Sequence, residues 1–194
     1  MNRQSLTEAQ GFPTSANLRA SFGAPPEFVR LSGPGTLVRL VPFGPITPES
    51  LDLKDPRSSG CFWLDEELLL RLLQQARSEL TQQESVARKR RSAPPFNVLL
   101  GNHVRQGLRD NLAICRDWTP DFNAFLRLHL TPEDSLTVLA GPVGRQAQGG
   151  AQSGTGTAAH AKTWLMGQAS QYVVDLGLPE NRSYTGRILG PFLF

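Results

Sequence analysis

After Asp65 the apolar residues recur at helical spacing. Leu69, Leu72, Leu73, Ala76 and Leu80 fall on one face. Asp65 suits an N-cap, and Glu66 and Glu67 place negative charge at the positive end of the helix dipole. The pattern predicts one helix from Asp65 to about Arg88, with Leu68 and Leu70 widening the buried stripe over the first two turns. Pro94-Pro95 must end it. A second helix is predicted over 102–114, with Val104, Leu108 and Leu112 on one face. The run 96–100 fits helix or strand.

Elsewhere the period drops to two. Residues 36–41 read as a strand, with Leu37, Arg39 and Val41 on one face and Thr36, Val38 and Leu40 on the other. Both faces are largely apolar, as in a central strand. Along 125–130, Leu126, Leu128 and Leu130 point to the core while Arg127 and His129 point away. Thr131-Pro132-Glu133-Asp134 makes a turn, and 136–143 reads as the return strand, so a β-hairpin is expected. Residues 164–176 resume as strand, broken at Gly167. The apolar end, 188–194, is expected to dock as a last strand or against a partner. The fold class is α+β, a mostly antiparallel sheet or sheets with two main helices in the first half.

Residues 1–31 read as an N-terminal arm and 32–194 as one domain. Within it, the Gly, Ala and Gln-rich insertion 144–162 offers nothing to build a core and is expected to be a mobile loop joining two strands. Its glycine pairs lack the strand-to-helix context of a phosphate loop.

Composition narrows the classes. The 194 residues are 39% apolar and 19% charged, as in a globular protein. No apolar run approaches the roughly 20 residues that span a bilayer. The N-terminal stretch lacks a signal-peptide pattern, which implies the cytoplasm. Cys61 and Cys115, and the three histidines, show no metal-ligand spacing, so no metal is expected. The net charge is +3, carried by 17 Arg and 3 Lys. The basic run 88–91 has no interleaved aromatics and reads as a solvated helix end, which argues against a nucleic-acid partner. Asn181-Arg182-Ser183 matches a glycosylation sequon, which matters only in a secreted chain.

One stretch combines structure and candidate chemistry: Ser58-Ser59-Gly60-Cys61-Phe62-Trp63, leading into the first helix. Leu37-Val38-Arg39 precedes it, and Gly167-Gln168-Ala169-Ser170-Gln171-Tyr172 follows late in the chain. In order, these features resemble the ADP-ribosyltransferase-like superfamily across roughly residues 36–176. The resemblance implies an NAD-using domain. Arg39 would pair with the NAD pyrophosphate. Ser59 would hydrogen-bond in the pocket, and Phe62 or Trp63 would pack on the nicotinamide. Gln171 would be the catalytic residue, orienting the ribose or the nucleophile. The family's catalytic Glu is absent at that place, and Gln cannot act as a general base. NAD cleavage, ADP-ribosyl transfer and an inactive relic that binds a partner are the implied outcomes. From the residues alone, the competing class is a non-enzymatic module or subunit with a protein partner.

Overall fold

The computed structural model describes residues 1–7, 19, 21–41, 62–87, 96–113, 122–148, 163–165, 167, 169–181, 184 and 188–193. The strands are β1 (Asn2–Leu6), β2 (Glu27–Ser32), β3 (Gly35–Val41) and β4 (Phe62–Asp65), then β5 (Ala124–Leu130) and β6 (Ser135–Pro142). β7 (Gln146–Gln148), β8 (Thr163–Leu165), β9 (Ser170–Val174) and β10 (Ile188–Leu193) follow. Two helices, α1 (Glu66–Ala87) and α2 (Phe96–Leu112), lie between β4 and β5. The fold is α+β, with the run from Phe96 resolved as helix. Eight strands form one antiparallel sheet in the order β1-β2-β6-β9-β4-β3-β5-β10, and β7 pairs with β8 in a separate ribbon.

The sheet folds back on itself at two tight turns. β2 runs into β3 through Gly33-Pro34, yet β2 pairs with β6 and β3 with β5. β5 runs into β6 through 131–134, yet these two strands do not pair with each other. The expected hairpin is therefore a corner, at which both chain passages change layers. The two turns pack together. Gly33 N–H donates to Asp134 O at 3.1 Å, and Asp134 Oδ2 accepts from Thr131 N–H at 2.7 Å. One layer is β1-β2-β6-β9 and the other β4-β3-β5-β10, joined on the far side by the β9–β4 pair.

Strand alternation then supplies two faces. The inner face buries Val29, Leu31, Leu37, Leu126, Leu128, Leu136, Val138 and Val174 in one cluster. Under the helices, the outer face of the second layer meets Leu69, Ala76, Val104 and Leu108 through Val38 and Leu64. Leu72 and Leu73 are partly buried against the same cluster. Leu70 is 55% exposed, so the expected widening of the stripe is confined to Leu68. A helix with one covered face shields only about a third of its circumference.

The described ends of the expected N-terminal arm are extended and packed on the body of the sheet. Residues 2–6 and 27–32 are sheet strands, and β2 buries Val29 and Leu31. β10 docks as the expected last strand at the sheet edge, but Leu189 and Phe192 on it are partly exposed. β7 lies near the start of the insertion and β8 follows its end; residues 149–162, with their glycine pairs, lie outside the described residues.

Where β9 ends, a side chain replaces a strand. The chain turns through a 3-10 turn, Pro179–Asn181, and returns the buried Asn181 to the edge of β6. Its carboxamide accepts from Thr137 N–H at 2.7 Å and donates to Thr137 O at 2.9 Å and Asp175 O at 2.7 Å. These are bonds that a further β9 residue would otherwise make.

Candidate functional site

The inner face of β3, β4 and β9 gathers the polar groups most suited to chemistry. Val38 pairs with Leu64, so Arg39 and Trp63 both point to the opposite, inner side on neighbouring strands. Trp63 pairs with Tyr172, which shares that face. The Tyr172 hydroxyl donates to Asp65 Oδ2 at 2.7 Å. Arg3 on β1 lies within electrostatic reach of Tyr172 and pairs with Glu27 at 3.8 Å. Ser5 Oγ is 3.5 Å from the same Glu27 carboxylate. Trp63 is 1% exposed, and its indole N–H has no acceptor among the described residues. A buried donor left without a partner carries a desolvation penalty.

Burial pushes the Tyr172 phenol well above its ordinary value of 10.0, and the hydrogen bond to Asp65 and that carboxylate's charge add to the rise. The nearby Arg3 opposes it only in part. Tyr172 therefore stays protonated at neutral pH and serves as a hydrogen-bond donor rather than a base. Tyr184 is raised in the same direction, by burial and then by the charge of Asp134; its hydroxyl donates to His129 O at 2.8 Å.

These two phenols set an alkaline limit on stability. Each folded-state value lies above the unfolded one. Their contribution is thus complete below pH 10 and is lost as pH rises past it. Melting temperature should fall progressively as pH rises above about 10, and Tyr172→Phe with Tyr184→Phe should flatten that fall. Equal slopes for the double variant and the parent would rule the phenols out as its cause.

The candidate residues read from the sequence divide between two faces. Arg39 and Trp63 come together on the inner side. Phe62 pairs with Val173 on the outer side and is 43% exposed. Gln171 is also outer, buried at 6% exposure, and its Nε2 donates to Ser21 O at 3.1 Å. That carbonyl also accepts from Gly144 N–H at 2.8 Å. The Gln171 side chain is thus a tether for the Ser21 turn, on the face of the sheet opposite to Arg39. Ser59 lies outside the described residues, as do Cys61, Cys115, His160 and the basic run 88–91.

Sequence reasoning missed Arg3, Glu27 and Tyr172, and took Asp65 only as a helix cap. Asp65 carried a usable signal: it stands two residues from Trp63 on a strand and so shares its face. Among the described residues no cluster of His, Cys, Asp or Glu could hold a metal ion. Among them, too, no helix is long and apolar enough to cross a membrane. His129 is exposed with Nδ1 3.3 Å from Thr36 Oγ1, and His103 is 3.8 Å from Glu79. Comparison of the chain with protein-family models, curated proteins and solved structures finds no match.

Proposed function

We propose that this chain is a non-enzymatic protein-interaction module that docks a protein partner beside its β10 edge. The observation that carries the reading is the pair Leu189 and Phe192, 43% and 38% exposed on the outer side of that edge strand. Phe192 is held against Phe125, ring centroids 5.5 Å apart, with the Arg127 guanidinium 5.9 Å from its ring. Arg127 is itself fixed by Glu66 at 2.6 Å. A rigid aromatic beside a fixed Arg is the composition of an interface anchor.

Docking uses side chains rather than an added strand. β10 shifts register between Leu189 and Phe192, with Gly190 at φ +119 and Pro191 following. A bulge and a proline spoil the row of edge hydrogen bonds that strand addition needs. Leu189→Glu combined with Phe192→Glu should leave the unfolding free energy within about 1 kcal/mol of the parent. A partner recovered at fixed stoichiometry by the parent chain should bind the double variant at least about tenfold more weakly. Equal affinity for both chains would end this reading.

A second reading keeps NAD as a ligand, now without Gln171. It is favoured by the shared inner face of Arg39 and Trp63 and by the indole N–H that lacks an acceptor among the described residues. The pyrophosphate would meet Arg39. Calorimetric titration with NAD should then give saturable heat that Arg39→Ala weakens more than tenfold and Gln171→Ala leaves unchanged. No heat at millimolar NAD would remove this reading and leave the interaction module.

A further inference from the structure

The outer face of the first layer holds a hollow of about 430 Å³ that neither reading above uses. It is lined by Arg19, Phe22, Ala24, Pro26, Phe28 and Leu139, among others. That volume is within the range of small-molecule sites, and Arg19 is the one charged residue of its lining. Arg19 is exposed, and no carboxylate among the described residues pairs with it.

The walls are fixed before any ligand arrives. Phe22 bridges Val143, and Gly23 N–H donates to Pro142 O at 2.9 Å. Ser21 O accepts from both Gly144 N–H and the Gln171 carboxamide. Phe22 N–H donates to Arg19 O at 3.1 Å, which ties the cation's backbone to the same turn. Phe22 and Leu139 are packed with Val173 and Leu178 beneath, and Pro25-Pro26 stiffens the rim. A preformed wall avoids the entropy of ordering it on binding.

We propose that this hollow binds a small amphipathic carboxylate. Its apolar body would lie over Phe22, Phe28 and Leu139, and its carboxylate would take the Arg19 fork as a bidentate pair. The assignment follows from complementarity: one cation, unpaired among the described residues, at the edge of an otherwise apolar hollow calls for one anionic end and an apolar remainder. It stands apart from the β10 edge and from the inner face that carries Arg39 and Trp63.

The test uses the full chain with decanoate and decanol, each below its aggregation concentration. Calorimetry should give saturable decanoate binding, and amide resonances of Gly23, Ala24 and Phe28 should shift. Arg19→Gln should weaken decanoate about tenfold or more and leave decanol unchanged. Arg71→Gln, which removes an exposed Arg elsewhere, should change neither. Ala24→Trp, which fills the hollow from its rim, should abolish both. The proposal is overturned by an absence of decanoate binding to the parent, by equal affinities of the parent and Arg19→Gln, or by shifts confined to other amides. Those outcomes would leave the hollow as a surface depression, or as a seat for a peptide if an aromatic and proline-rich peptide shifts the same amides instead.

Discussion

Replacing Gly33 with Ala is expected to cost about 3 kcal/mol of stability or more. A Cβ on Gly33 would sit within the van der Waals radius of Thr131 O and 2.6 Å from its carbonyl carbon. Both obstacles are backbone, so no side-chain rotation relieves them. The Thr131 backbone is itself pinned, since its N–H donates to Asp134 Oδ2 and its O accepts from Asp134 N–H at 3.1 Å. Relief requires the two corners to separate, which breaks the Gly33–Asp134 bond and opens the layer junction above Leu31 and Leu130. Guanidinium melts of the parent and Gly33→Ala measure the difference directly. A variant within half a kcal/mol of the parent would show that the corners are not in contact.

Asn181→Ala should cost about 3 kcal/mol. The substitution leaves Thr137 N–H, Thr137 O and Asp175 O without the partner they now share. Asn181 is 2% exposed, so water does not replace it without opening the turn. Asn181→Asp is a sharper probe. Its carboxylate still accepts from Thr137 N–H but faces two carbonyl oxygens to which it cannot donate. That disfavours the charged form in the fold and raises the folded-state pKa of the new carboxyl. The defect in the Asp variant should therefore shrink as pH falls toward the ordinary carboxylate range, while the Ala variant shows no such dependence. Parallel pH profiles for the two variants would count against the assigned bonds. The same burial means that the sequon at Asn181 presents no accessible amide in the folded chain.

The helices and most strands were legible because each rests on a local period. Leu126, Leu128 and Leu130 alternate whatever their strand pairs with, and Val104 and Leu108 mark a helix face without reference to the sheet. The pairing of β5 was not legible. Thr131-Pro132-Glu133-Asp134 turns the chain equally well in a hairpin and in a corner. What decides between them is the fit of Gly33 against Thr131, and no local pattern holds that information. The division of the candidate residues between two faces followed from a count that was available. Phe62 and Trp63 are adjacent, as are Gln171 and Tyr172, and adjacent strand residues point to opposite faces. Two of these four had to lie outside any single cleft. The register gives Trp63 and Tyr172 to the inner face, and with them Asp65 and Arg39.

The corner also shapes how the chain reaches this fold. A strand pair joined by a four-residue turn ordinarily forms within microseconds and can seed a sheet. Here β5 and β6 offer no such start, because each takes its partners from other parts of the chain. β2 must wait for β6, on the far side of both helices, and β3 gains β5 only after α2 is complete. During synthesis β2 therefore leaves the ribosome with Val29 and Leu31 uncovered, and they stay so while α1, α2 and β5 are made. The early local partners are β1 with β2 at one edge, and β3 with β4 and α1 with α2, of which the last two pairs close around Val38, Leu64, Leu69 and Leu108. Refolding should accordingly be slow for a chain of this size and most exposed to aggregation before the first layer closes.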